Sequence, residues 1–390
     1  MAGALEGLRV IDVSLYGPVC FCTMILGDLG ADIIRVEGAA WELDVQEFPA
    51  SDSPYDPLNR SKRSIHVNLK TEEGRRIFYQ LAEKADVVVE GFRPGVVKRL
   101  GIDYETLREL NPRLIYCSVS GFGQSGPYRD FVGHDISYIA QGGALGIMER
   151  QDVIPGNIIA DVAGGGMQAA IGILSAVVAR QNSGRGQFVD IAVADGVFFM
   201  ISHYIAKYLE TGSMPKEEVR TTIGACPFYN VYKTKDGKYI SIASAEPKFF
   251  VNLCKILGCE EFIPYQMDRT KVSEIKSFFA KTFLTKTRDE WFDILSKSDT
   301  AVAKVNSVGD LISDPQVLHR EMIVDLDHPV LGKVRHPGIS IKLSDTPGCI
   351  RKFSPKSGEH TAEVLIEMGY DQKIIEDMSK RGVINLPEMD

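Results

Sequence analysis

A small set of ionisable residues sits among glycines, at points where one predicted element gives way to the next. Gly133-His134-Asp135 follows a turn-rich stretch over 121–127. Asn157-Ile-Ile-Ala-Asp161 runs into Gly164-Gly165-Gly166. Glu246 follows a predicted strand and precedes Pro247, which opens a helix. Such junctions commonly carry binding and catalytic side chains. A histidine with acids suits general acid–base work near neutral pH. Local chemistry leaves a second reading open at each position. Asp135 and Asp161 also suit helix caps, Glu246 an acid in a helix first turn, and His134 a hydrogen-bonded structural histidine.

Other chemistries fit less well. The seven histidines are scattered, with no H-x-x-H or H-E-x-x-H spacing for a metal. There is no G-x-S-x-G elbow and no Walker A loop. Gly121-Phe-Gly123-Gln-Ser-Gly126 spells G-x-G-x-x-G, but Pro127 follows it and no helix opens there. A basic cluster of Arg60, Lys62, Arg63, Lys70, Arg75 and Arg76 stands out from an acidic background. Arg35 and Arg93 end predicted strands, where α/β sheets form ligand crevices. Cations there suit the phosphates of a nucleotide.

The elements that must position these groups alternate. Apolar runs at 8–13, 31–36, 86–90, 114–118 and 187–192 read as strands, with helical segments between them. That order predicts a parallel sheet with right-handed crossovers. Residues 193–209 read as one long apolar helix, and 211–224 as a polar linker. Strands at 228–232 and 238–243 flank Lys233-Thr-Lys-Asp-Gly237, a hairpin signal. The expected fold is α/β, a Rossmann-like open parallel-sheet large domain plus a smaller α+β domain. The large domain is assigned to 1–210 with 325–390, and the small domain with its return linker to 225–324.

The chain has 390 residues, of which 44% are hydrophobic and 25% charged, and a net charge of −8. This excludes wholesale disorder and argues against a general nucleic-acid-binding role. Seven cysteines, none in C-x-x-C spacing, read as reduced thiols of a cytoplasmic protein. The first residues lack the basic and apolar regions of a signal peptide. Residues 162–179 approach the length of a membrane span but are built of Gly and Ala, so a buried, tightly packed helix is expected and no membrane span.

Longer runs carry a resemblance. LEGLRVIDVS, MILGDLGADIIRVE, NRSKRSIHVNLK, DVVVEGFRPG, LIYCSVSGFGQSGPY, ADVAGG and SGRGQFVDIA occur in order. With them the sequence resembles the family III CoA-transferase superfamily over nearly its whole length. Within it, GHDISYIAQGG, GNIIADVAGGG and ASAEPKFF look like segments of the α-methylacyl-CoA racemases. The resemblance implies an interlocked homodimer and an acyl-CoA substrate, with CoA part of that substrate and no separate cofactor. It places His134 and Asp161 as the two bases and Glu246 as the support of the histidine, with Asp135, Asn157 and Tyr229 beside them. It also suggests Arg35, Asn59, Lys62, Arg63 and Arg93 for CoA. The implied reaction is racemisation of a 2-methylacyl-CoA by proton transfer at the α-carbon. The alternative is a CoA-transferase in which Asp161 carries the acyl group. Gly38 replaces an arginine of some racemases, 220–226 departs from their pattern, and Ala243-Ser-Ala245 replaces their G-A-I.

Overall fold

The computed structural model describes residues 3–14, 17–38, 53–148, 154–155, 159–213 and 224–387. Two compact units are formed. The first holds Met1–Gly143, Pro155–Met200 and Gln316–Asp390, and the second Ala144–Ile154 and Ile201–Pro315.

The first unit is built on six short strands. These are β1 (Arg9–Val13), β2 (Asp32–Glu37), β3 (Lys62–His66), β4 (Val87–Glu90), β5 (Ile115–Ser120) and β6 (Phe188–Ala192). Of these, β1, β2, β4 and β5 are buried along nearly their whole length, as in a sheet covered on both faces. They pair in parallel in the order β3-β2-β1-β4-β5-β6. The order reverses between β1 and β4, and ligand crevices open at such a reversal, beyond the carboxyl ends of the strands.

The helices between strands are α1 (Pro18–Asp28), α2 (Glu72–Glu83), α3 (Val96–Leu100), α4 (Tyr104–Leu110), α5 (Asp135–Gln141), α6 (Gln168–Ser183) and α7 (Val193–Met200). Pro18 opens α1, where its missing N–H costs nothing. The Thr71 hydroxyl caps α2 by accepting Gly74 N–H at 3.0 Å. Strand side chains such as Ile11, Ile34, Val88 and Tyr116 bury against Phe78 and Leu81 of α2.

The second unit holds α8 (Ser202–Thr211) and carries an antiparallel sheet of β7 (Tyr229–Lys233), β8 (Tyr239–Ala243) and β9 (Val302–Lys304). Helices α9 (Pro247–Leu257), α10 (Val272–Phe283), α11 (Arg288–Leu295) and α12 (Val308–Leu311) accompany it. Its core is aromatic, with Phe228, Phe250, Phe279, Phe283 and Trp291 all buried. After α13 (Pro315–His319) the chain makes the hairpin β10 (Ile323–His328) and β11 (Gly332–Pro337). It then adds α14 (Thr361–Glu367) and α15 (Gln372–Lys380), whose Val364, Leu365 and Ile375 enter the first unit's core.

The structure departs from the sequence reading in four places. Residues 62–66, read only as a basic cluster, form β3. Residues 193–209 form α7 and α8, broken at Ile201, and the division between the units falls there rather than at 210. The apolar periodicity runs unbroken through 201, so pattern alone does not mark the turn. The glycine-rich segment Ala160–Met167 is a π-helix that continues into α6. That continuous helix is apolar enough to cross a membrane by length, yet it is not buried all round. Ala169, Ile173 and Ala176 face inward, while Met167, Ile171 and Val178 are exposed.

The three glycines explain how the π-helix packs. A Cβ on Gly164 would lie 2.7 Å from the Val193 carbonyl, and one on Gly165 2.7 Å from Pro18 Cβ. Their smallness admits α7 and α1. Gly165→Ala is therefore expected to lower stability by about 1–3 kcal/mol through overpacking. Gly146→Ala, with open space around its Cβ, serves as the control in thermal melts. Equal melting temperatures for the two variants would refute this account.

Candidate active site

Beyond the ends of β1, β4 and β5 the first unit opens a cavity of about 530 Å³. His134, Asp161, Arg93 and Tyr138 all line it. Ser14 and Pro18 come from the β1–α1 turn, Gly91–Pro94 from the end of β4, and Ser120 and Gly121 from the end of β5. The cavity therefore occupies the crevice that the strand order dictates.

His134 caps the start of α5. Its carbonyl accepts the Ser137 and Tyr138 N–H groups at 2.8 and 3.3 Å, and its own N–H reaches Ser137 Oγ at 3.4 Å. Those two first-turn amides are thus spent within the helix and do not face a ligand. The histidine is exposed. Asp161 is half-buried in the first turn of the π-helix. The Asp135 carboxylate accepts Asp161 N–H at 2.9 Å, so Asp135 ties α5 to the π-helix and holds the two candidate bases in one wall. Burial, then the Asp135 charge, raises the Asp161 carboxyl to about 6, against the opposing pull of His134.

Tyr138 follows His134 by one helical turn and was not singled out in the sequence. The i, i+4 spacing in GHDISY carries the signal. Its ring packs over Gly121 and Gly133, where any Cβ would collide with it, and its hydroxyl donates to the Gly133 carbonyl at 2.5 Å. Burial, then the nearby Asp161, raises this phenol to about 12, so it stays a proton donor at neutral pH. Phe131 and Val132, 61% and 66% exposed, add an apolar rim.

The remaining sequence candidates fall elsewhere. Asn157 lies outside the described residues. Tyr229 and Glu246 belong to the second unit. Tyr229 begins β7 opposite Ala243 of β8, and Glu246 lies three residues beyond Ala243 at the head of α9, so the two share one end of the small sheet. Of the residues suggested for CoA, only Arg93 reaches the cavity. Arg35 is buried on β2, 3.7 Å from Glu37. Asn59 is buried and donates to Asp56 at 2.8 Å.

Lys62 and Arg63 lie outside the cavity lining and are paired with acids of the fold. Lys62 Nζ is fully buried and donates to Asp12 Oδ2 at 3.1 Å, with Cys20 O at 3.3 Å and Asn59 Oδ1 at 3.4 Å. Arg63 pairs with Asp32 at 2.8 Å and Glu367 at 2.8 Å, pinning α14 to the sheet. Both cations are engaged in holding the fold. Strand alternation explains this, because β3 points one residue of the cluster to each face of the sheet.

The sequence matches the model of CoA-transferase family III over residues 5–361, and the chain belongs to that family. It is 33% identical over 387 residues to the Homo sapiens alpha-methylacyl-CoA racemase, covering 98% of this chain and 97% of that one. It is 31% identical over 401 residues to the Homo sapiens succinyl-CoA:glutarate CoA-transferase, covering 98% and 90%. A solved CAIB/BAIF family protein from Brucella suis matches the fold with a TM-score of 0.81 at 29% identity, covering 94% of this chain and all of that one. Racemases and transferases thus resemble this chain to nearly the same degree.

Proposed function

We propose that the protein is a 2-methylacyl-CoA racemase. The reading rests on one observation: His134 and Asp161, two proton carriers of different type, line the same cavity. Inversion at the carbon beside a thioester needs a proton removed from one face and returned to the other. A single fixed base does not reach both faces. Asp161, raised to about 6, is suited to give or take a proton near neutral pH, and His134 in the same cavity takes the complementary role. When one removes the α-proton, the thioester becomes an enolate, and the other protonates the opposite face. Arg93 binds CoA at the cavity edge, and its binding energy aligns the α-carbon.

The same Asp161 would serve a CoA-transferase as the carboxylate that attacks the acyl-CoA. The two activities separate in one experiment. A 2-methylacyl-CoA is incubated in deuterated water without acceptor acid, and a parallel sample is quenched with hydroxylamine. Deuterium at the α-carbon and no hydroxamate on Asp161 is the expected outcome. A trapped acyl-aspartyl adduct without α-exchange would transfer the assignment to the CoA-transferases.

The enzyme acts as a homodimer in this reading. Ile171 and Val178 of α6 and Phe198 and Phe199 of α7 are exposed, apolar surface of the kind that association covers. Light scattering over a dilution series is expected to give the dimer mass, and an active monomer at micromolar concentration would refute it.

A further inference from the structure

Glu90 ends β4 and is 1% exposed. The next four residues, Gly91 to Pro94, all line the cavity. One carboxylate oxygen accepts Phe92 N–H at 2.8 Å, and the other accepts the Ser118 hydroxyl. The Ser118 oxygen in turn accepts Gln124 Nε2 at 2.7 Å, and that amide also reaches Ser120 Oγ at 3.4 Å. The Gln124 main-chain N–H is held by Asp190 of β6 at 3.1 Å, and its carbonyl accepts Arg129 Nε at 3.0 Å. One buried carboxyl therefore joins the end of β4 to the end of β5 and to the loop that carries Arg129, another cavity residue.

A carboxyl at this depth is costly. Burial raises it to about 7, with Asp190 adding to the rise and the Ser118 and Phe92 bonds opposing it. Apolar packing alone would fill the position at less cost, so the geometry calls for what only this group offers: two acceptor sites at once, aimed at a main-chain amide and a hydroxyl.

We infer that Glu90 is a positioning residue of the cavity, which fixes the path of residues 91–94 and thereby places the Arg93 guanidinium against the substrate. The inference builds on the acyl-CoA reading of the cavity. Glu90→Ala strips both Phe92 N–H and Ser118 of their partner. Glu90→Gln keeps the carbonyl acceptor for Phe92 and so is the rescue variant.

The test has two arms. Amide hydrogen exchange is followed at Phe92 in the wild-type protein and both variants, with the β1 amides as reference. Calorimetry then gives the Kd of a 2-methylacyl-CoA thioester, in wild-type and Arg93→Ala backgrounds. Glu90→Ala is expected to speed Phe92 exchange and weaken binding, each roughly tenfold, the size of one lost hydrogen bond. Glu90→Gln should recover most of both. In the Arg93→Ala background Glu90→Ala should add nothing to Kd, because the residue acts through Arg93. Unchanged Phe92 exchange, or an equal loss of affinity in both backgrounds, overturns the inference. A wild-type protein that fails to bind the thioester sinks the acyl-CoA reading instead, while the exchange arm still decides whether Glu90 braces residues 91–94.

Discussion

His134→Ala is expected to lower racemisation at least about 10²-fold, the ordinary size of general acid–base catalysis, while α-proton exchange from one enantiomer survives. The asymmetry follows from the site. Asp161 comes from the π-helix and His134 from the start of α5, so each serves one face of the α-carbon, and removing the histidine leaves the other carrier in place. Asp161→Asn should remove the opposite half and the exchange that His134→Ala retains. Asp135 offers a finer control. Its charge helps raise Asp161 to about 6, after burial, and its oxygen accepts Asp161 N–H. Asp135→Asn keeps that acceptor and removes the charge. A negative neighbour disfavours ionisation, so its loss lowers the Asp161 pKa. For the half-reaction in which Asp161 is the base, the rate rises with pH through about 6 in the wild-type enzyme, and this limb should move to lower pH in Asp135→Asn. Rate profiles for the two enantiomers measure it directly. Equal loss of exchange and inversion in His134→Ala, or a limb that stays in place in Asp135→Asn, would remove the two-base mechanism.

The parts of this arrangement that sequence made legible share a cause. Five of the six strands of the sheet, all but β3, are short apolar runs near Gly or Pro, a local signal, and His134, Asp135 and Asp161 sit near glycines at element junctions. In the basic cluster, charge is visible in sequence while burial is not. Lys62, Arg60 and Arg63 resemble a phosphate-binding face, but Lys62 and Arg60 are buried against Asp12 and Asp28, and the partly buried Arg63 meets Asp32. Those acids lie far away in sequence, so only the folded chain brings the pairs together. The glycines of 164–166 are a related case. Small residues permit close approach of any neighbour, and here the neighbours are Pro18 and Val193. Glu90 escaped notice because its partners Ser118 and Gln124 are ordinary residues until β4 and β5 stand side by side.

The buried Lys62–Asp12 pair carries the second large effect. The Lys62 and Asp12 side chains are both fully buried, 3.1 Å apart. Burial pushes the Asp12 carboxyl up, but Lys62, the Ser14 and Thr23 hydroxyls and Arg35 outweigh it, and its pKa ends below the ordinary value. A depressed carboxylate stabilises the fold above its unfolded pKa, and that contribution is lost as pH falls through its folded value. Lys62→Met leaves a charged acid inside without its main counter-ion, which costs about 3–5 kcal/mol. Since Asp12 takes up a proton in the variant at low pH, the deficit against wild type should shrink as pH falls toward about 4. Asp12→Leu together with Lys62→Met removes both charges and should recover much of the loss, as replacement of a buried pair by apolar groups often does. Urea unfolding at pH 7 and at low pH tests all three expectations. If Lys62 instead held a CoA phosphate, Lys62→Met would weaken acyl-CoA binding and leave stability within about 1 kcal/mol, as for an exposed charge. That result would return the residue to the substrate.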